Sequence, residues 1–264
     1  GEKLIITGIT GSSDSNFANS GYHGSKDGWV ALMSSSGTLI TDLIKVFGGS
    51  AEDGLLYAMQ TKEGGYIVCG YSTSSDGDLN SLSSSTGEDL WVLKLDSQLE
   101  IEWQDLFGGQ NDERANVIKE VNDGYIAVGF TESAGGDINE NKGGKDLWVL
   151  KFSSDGDLEW SKTYGGSEDD EGFDVVQTAD GGFSICGYTD SSDGDILHEN
   201  RGMSDVWVIK LGYDGYLEWE ATFGGSENDF ARRINETEKR ELIVIGTTSS
   251  SDRDIKRPIQ GPSD

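Results

Sequence analysis

Short apolar runs, four to a unit, recur along the chain and are separated by polar turns rich in Gly, Asp and Ser. The clearest unit reads FDVVQT at 173–178, GFSICGYT at 182–189, DVWVIKL at 205–211 and YLEWEATF at 216–223. Their lengths and their Val, Ile, Tyr and Trp content predict four β-strands. The connections ADGG (179–182) and YDG (213–215) carry the Asp-Gly chemistry of tight hairpins, so strands one and two, and three and four, are expected to be meander neighbours. The second-to-third connection, SSDGDILHENRGMS at 191–204, is long and polar, the kind of loop on which function usually sits.

Two markers show that this unit repeats. An aromatic-Gly-Gly turn begins at Phe47, Phe107, Tyr164 and Phe223, at spacings of 60, 57 and 59 residues by subtraction. A Trp preceded two residues earlier by Asp falls at Trp29, Trp91, Trp148 and Trp207, at spacings of 62, 57 and 59. The units run approximately 1–53, 54–113, 114–171, 172–230 and 231–264, the first and last partial. In the third strand, Asp89 to Leu95, both alternating faces are largely apolar, as in a sheet covered on both sides. Repeated four-stranded antiparallel sheets bury both faces by packing around a common axis. The expected fold is therefore all-β: a single β-propeller domain of four-stranded blades, 57–62 residues per repeat, with the Trp series as core. First, third and fourth strand types occur four times and the second type five times, counting KLIITGIT and ELIVIGTT. Five blades are expected, with four blades or a fragment of a longer ring as the alternatives. Gly261-Pro262-Ser263-Asp264 aligns with Gly202-Met203-Ser204-Asp205, and this stop has the look of a truncation.

Composition narrows the partners. Thirty-eight Gly against two Pro suits many short strands with glycine turns. Lys plus Arg number 20 against 48 Asp plus Glu, a net charge of −28, which opposes nucleic-acid backbones and anionic lipid. No run of eighteen apolar residues is present, so no membrane insertion is expected, and Gly1 to Lys3 lead straight into strand-like sequence, so that any signal peptide there was is expected to have been removed. Cys69 and Cys186 occupy matching places in two repeats, too far apart to bridge, and are expected as buried free thiols.

Alternating strand directions put the second-to-third loops and the fourth-to-first connections on one face, where most of the acids gather. Asp76/Asp78 and Asp193/Asp195, with Asp252/Asp254, form Asp-x-Asp pairs that could ligate Ca²⁺ through carboxylate oxygens. They depart from an EF-hand loop, because Ser81 and His198 stand where its glycine is needed, and Gly135 replaces the first acid of the pair ending at Asp137. The competing expectation is structural: Asp27, Asp89, Asp146 and Asp205, and Asp53, Glu113, Asp170 and Asp229, accept backbone N–H bonds that fix the loops. Catalysis should break the repeat. His23 and His198 are not equivalent, yet neither lies in a motif that activates a nucleophile or a metal. Arg232-Arg233 and Lys256-Arg257 also break the pattern and could meet a ligand carboxylate or balance charge. No asymmetric carboxylate pair of the glycosidase kind stands out.

The units FGGSENDFARRI, DGGFSICGYTDSSDGDI and SDVWVIKLGYDGYLEW resemble the bacterial β-propeller repeats called SBBP, and the strand order is similar to that of NHL-type blades. The resemblance covers essentially the whole chain. It implies a secreted or cell-envelope scaffold whose ligand varies, since fold does not fix activity. The expected function is a non-catalytic binding or structural module, monomeric, with an unknown protein or glycan as partner. Binding candidates are Asp76, Asp78, Asp137, Asp193, Asp195, Arg232 and Arg233, and the alternatives are a carbohydrate-binding propeller with Phe17 and Tyr22 stacking on sugars and, after it, a glycoside hydrolase or lyase.

Overall fold

The computed structural model describes residues 3–14, 17, 21–80, 82 and 86–255. Ser81, Lys256-Arg257 and the terminal Gly261–Asp264, all singled out above, lie outside them. The strands fall into five antiparallel sheets in chain order. They are β1 (Lys3–Thr10), β2 (Asp27–Ser34) and β3 (Leu39–Phe47); then β4 (Asp53–Gln60), β5 (Tyr66–Ser72), β6 (Asp89–Leu95) and β7 (Ile101–Phe107). Next come β8 (Glu113–Val121), β9 (Gly124–Thr131), β10 (Asp146–Phe152) and β11 (Leu158–Tyr164), then β12 (Asp170–Gln177), β13 (Phe183–Thr189), β14 (Asp205–Leu211) and β15 (Leu217–Phe223). The last sheet is β16 (Asp229–Glu236) with β17 (Leu242–Thr248). A single 3₁₀ turn interrupts the long loop of the second sheet, at Gly77–Leu79. Among the described residues no helix is long and apolar enough to cross a membrane.

The expected strand types and their numbers are all present. The strand expected at 173–178 begins three residues earlier, at Asp170. That residue pairs with Thr189, and its N–H bonds the Lys145 carbonyl at 2.6 Å, so the acid is itself part of the ladder.

The chain divides into two compact units, Gly1–Ala127 with Gly135–Asp137 and Ser153–Asp157, and Val128–Ala134 with Ile138–Phe152 and Leu158–Asp264. In the first unit the core gathers Val30, Leu32, Leu55, Tyr66, Val68, Trp91, Leu93, Leu95 and Leu99. β5 and β6 are buried along their whole length, which explains their continuous apolar sequence. Register places a glycine of the second strand opposite the Trp of the third, at Gly8↔Trp29 and Gly70↔Trp91. A Cβ on Gly8 would come within 3.0 Å of the Trp29 indole, so the glycine is the space the ring occupies. The Trp103 ring fills the space a Cβ would take at Gly156, a turn residue at φ +92. Leu99 holds the corresponding left-handed turn position of the preceding hairpin at φ 63, fully buried and in the cluster that Leu43 packs against. Leu43 and Trp103 hold the same place in their fourth strands. A leucine facing a leucine and a tryptophan facing a glycine are two ways of filling one volume.

The second unit repeats these devices. Gly187 faces Trp207, and Trp160 packs on Phe183 with ring centroids 6.2 Å apart and covers Gly215. Cys186, Val208, Ala231 and Ile234 form its buried cluster. The first strands β12 and β16 carry a bulge, at Gly172/Asp174 and Ala231/Arg233. Both cysteines are free and buried, as the sequence indicated, and burial pushes the Cys69 thiol far up, which makes it inert.

Candidate functional site

The acids converge on the aromatic-Gly-Gly turns, and they do so in the same way from repeat to repeat. The carboxylate that opens a third strand reaches backward: Asp27, Asp146 and Asp205 accept the N–H of His23, Lys142 and Arg201 at 2.6, 2.8 and 2.8 Å. The carboxylate that opens the next first strand closes the turn itself. Asp53, Glu113, Asp170 and Asp229 accept the N–H of Gly49, Gly109, Gly166 and Gly225 at 2.7–2.8 Å. In three of these the same oxygen also accepts a serine hydroxyl, from Ser74, Ser191 and Ser250. These bonds bear out the structural expectation for Asp27, Asp146 and Asp205 and for the whole of the second series.

The Asp-x-Asp loops complete the cradle. Asp76, Asp193 and Asp252 accept the N–H of Ser50, Ser167 and Ser226 at 2.7, 2.8 and 2.9 Å. Asp78, Asp137 and Asp195 accept the N–H of Gly48, Gly108 and Gly165 at 3.0, 3.0 and 3.1 Å. Their own backbone N–H groups return bonds to the same glycine carbonyls. Basic side chains sit beside three of the second acids: the His23 imidazole Nδ1 lies 4.0 Å from Asp78, Lys142 Nζ lies 2.5 Å from Asp195, and Arg201 pairs with Asp254. The proposed Ca²⁺ ligands Asp76, Asp78, Asp193 and Asp195 thus each hold a backbone amide. Among the described residues no group of three or more His, Cys, Asp or Glu side chains is placed to hold a metal ion.

Inside each cradle two carboxylates face one another across the first glycine. A Cβ at Gly48 would lie 2.6 Å from Asp27 Oδ1 and 2.7 Å from Asp53 Oδ2; at Gly165 the distances are 2.4 Å to Asp146 and 2.8 Å to Asp170, and at Gly224 they are 2.2 Å to Asp205 and 2.7 Å to Asp229. These glycines are required because the acids occupy the side-chain position. The Oδ1 atoms of Asp27, Asp146 and Asp205 are buried without a hydrogen-bond partner. Burial pushes the carboxyls of Asp27 and Asp205 up, and those of Asp146 and Asp170 up to about 6. Asp76, at the surface, is held below its ordinary value by the Ser50 N–H.

The remaining candidates are dispersed. Arg232 stacks on Phe173 at 4.4 Å and on Phe230 at 5.2 Å, and Arg233 donates to the Arg232 carbonyl, so both arginines have local partners. Phe17 packs against Trp29 with centroids 5.7 Å apart, and the Tyr22 hydroxyl bonds the Ser25 carbonyl. His198 is exposed, but its Nδ1 lies 2.5 Å from Oε1 of the buried Glu220. Glu220 also accepts the N–H of Leu197 and His198 and the indole N–H of Trp207, where the other repeats use Gln104 on Trp91 and Ser161 on Trp148.

One series escaped the sequence reading. Lys94, Lys151 and Lys210, one place before the end of the third strand, are buried, and pair with Glu102 at 2.6 Å, Glu159 at 2.9 Å and Glu218 at 3.4 Å. The signal was a lysine recurring in an otherwise apolar run, with a glutamate eight residues on.

The fold and its turns define an all-β protein of repeated antiparallel sheets. The chain matches no protein-family model and no curated protein. Among solved structures it is similar to a protein of unknown function from Bacteroides caccae, at a TM-score of 0.45 and 10% identity over 83% of this chain. It spans 65% of the length of that protein.

Proposed function

We propose that the protein is a non-catalytic binding and structural module of the bacterial cell exterior, with its sheets arranged as propeller blades of the SBBP type. One observation carries the non-catalytic part. The turn and loop acids recur from repeat to repeat and are engaged in holding backbone amides, and the carboxylates paired across the turn glycines are buried. Glycosidic cleavage needs two carboxyls open to a sugar ring, and the cradle pairs do not meet that requirement. The net charge of −28 favours basic or neutral partners over nucleic acid and anionic membranes.

Three measurements test this. A panel of chromogenic glycosides and esters should give no turnover; a turnover that disappears in one point variant overturns the non-catalytic reading. Protease treatment of intact cells should degrade the protein, whereas protection until lysis overturns the exterior location. A crystal structure should show the sheets radiating about one axis, and a two-layer sandwich overturns the propeller.

A further inference from the structure

Two of the positions at which the second unit departs from the repeat border one cleft. Ser184 on β13 stands where β5, β9 and β17 carry Ile67, Ile126 and Ile243. It is fully buried, and its hydroxyl oxygen has no hydrogen-bond partner. A buried hydroxyl left unpaired is a standing cost, and an isoleucine at that place would remove it. Arg240 is the second departure. Its N–H bonds the Thr237 carbonyl, as Gly64 bonds Thr61 and Gly181 bonds Thr178 in the matching turns. Those glycines sit at φ +95 and +90, and Arg240 holds the same left-handed conformation at φ 62. Leu99 holds its left-handed turn by burying its side chain in the core, whereas Arg240 is exposed, so packing does not account for strain kept where the repeat offers a glycine.

The cleft has a volume of about 200 Å³ and is bordered by Asp180, Ser184, Lys210, Trp219, Glu236 and Arg240. Ser184, Lys210 and Trp219 are direct cross-strand partners on β13, β14 and β15, so they form a row on one sheet face. Trp219 is 44% exposed. Lys210 Nζ lies 3.2 Å from Asp180 and 3.4 Å from Glu218, and Glu236 accepts the N–H of Ala179 at 2.8 Å. Lysine and arginine here repel a cationic ligand, and the acids repel an anionic one. What remains is a neutral molecule with a flat apolar face and several hydroxyls. The volume, below the range of drug-sized pockets, limits it to one ring.

We propose that this cleft binds a single neutral sugar residue, its apolar face on the Trp219 indole and one hydroxyl brought to Ser184 Oγ by a shift of the side chains that cover it. The inference rests on the reading of the protein as a binding module and names the ligand class of one site.

The test uses the intact protein and the methyl glycosides of glucose, galactose and mannose, with N-acetylglucosamine, and glucosamine and glucuronic acid as charged controls. Binding is followed by calorimetry and ligand-observed NMR, together with melting temperature. At least one neutral sugar should bind at millimolar concentration, and Ser184→Ile and Trp219→Ala should each weaken it about tenfold or more. Ser184→Ile and Arg240→Gly restore the repeat's own residues, so they should melt no lower than the parent while binding less well. That combination separates a ligand site from a structural role. The proposal is overturned if no neutral sugar binds, if a charged control binds more tightly, or if both restoring variants bind as the parent does. Should Ser184→Ile fail to fold, Arg240→Gly and Trp219→Ala carry the same decision. Hydrolysis of a bound glycoside, lost in Ser184→Ile, would sustain the site and overturn only the non-catalytic reading.

Discussion

Charge is buried in two regions of this protein, and the two solve the problem differently. In the turn cradles, carboxylates are held through one oxygen by backbone N–H groups and hydroxyls, with the other oxygen of Asp27, Asp146 and Asp205 unpaired and a second carboxyl across a glycine. On the sheet faces, Lys94 and Lys151 each donate to a half-exposed glutamate and to a backbone carbonyl. The cradle is geometry-limited, since its acids, glycines and amides interlock and none has room to move. The lysine row is charge-limited, because each cation depends on carboxylates that water also reaches. The first sheet shows that the row is optional: Leu32 stands where the other third strands carry lysine, and it too is fully buried.

The largest effect should come from breaking the cradle. Gly165→Ala places a methyl group 2.4 Å from Asp146 Oδ1, with the Gly166 N–H already committed to Asp170, so neither acid can withdraw without losing a bond. A loss of about 3 kcal/mol is expected from overpacking at such a site. Chemical denaturation of Gly165→Ala beside Gly181→Ala, whose Cβ meets nothing within 4 Å but whose φ is +90, separates crowding from left-handed strain. Equal losses would show that the cradle is not tight.

The row should respond asymmetrically. Glu159→Ala strands the buried Lys151 and should cost about 2 kcal/mol, below the 3–5 kcal/mol of a fully buried broken pair because Glu159 is itself partly exposed. Lys151→Leu, which copies the Leu32 solution of the first sheet, should be neutral or stabilising. If Lys151→Leu loses more than Glu159→Ala, the lysine is needed for more than its charge.

How far the sequence foretold this differs between the two regions. Strand types, hairpins and the cradle acids were legible because they recur: a period of about sixty residues marks Trp91 and Trp148 as core and Asp53 and Asp170 as turn acids without any coordinates. The partners were not legible. That Asp78 bonds Gly48 across thirty residues follows from how one loop folds over the next turn, and local pattern holds no trace of it. Ser184 and Arg240 were hidden for the opposite reason, because single departures carry no period and become visible only when the fold sets them beside Lys210 and Trp219. The buried lysines lay in plain view, but the apolar residues on both faces of the third strand drew the reading away from the one cation among them.

The cradle should also show itself in the pH dependence. Asp146 and Asp170 have folded values of about 6, above an unfolded carboxyl near 4, so the folded state binds more protons between those limits. Their contribution to stability is therefore greatest on the acid side and falls as pH rises from about 4 through about 6. Asp180, lowered to about 2 chiefly by the Thr178 hydroxyl, acts in the opposite sense and loses its contribution as pH falls below 4. A maximum near pH 4–5 is expected. Asp146→Asn should gain about 1 kcal/mol at pH 8 relative to the parent, and nothing at pH 4. A gain that is the same at both values would assign the effect to packing.

The smallest expected effect concerns Ca²⁺. The Asp-x-Asp loops crowd carboxylates on one face, and an ion bound only by the folded state at a hundredfold excess over Kd would add about 2.7 kcal/mol. In a chain of this size that is a rise in melting temperature of about 5–10 °C. The cradle geometry argues against such a gain. Asp76 and Asp193 each give an oxygen to a serine N–H, Asp78 and Asp195 each give one to a glycine N–H, and Lys142 already neutralises Asp195. An ion would have to displace these bonds and open the turn they close. Melting in millimolar Ca²⁺ should therefore match melting in NaCl of equal ionic strength, both salts raising stability alike by screening the net charge of −28. A Ca²⁺ increment above that control, absent in Asp193→Asn with Asp195→Asn, would show that the loops release their amides to a metal, and that the cradle of the second unit is a binding site before it is a clamp.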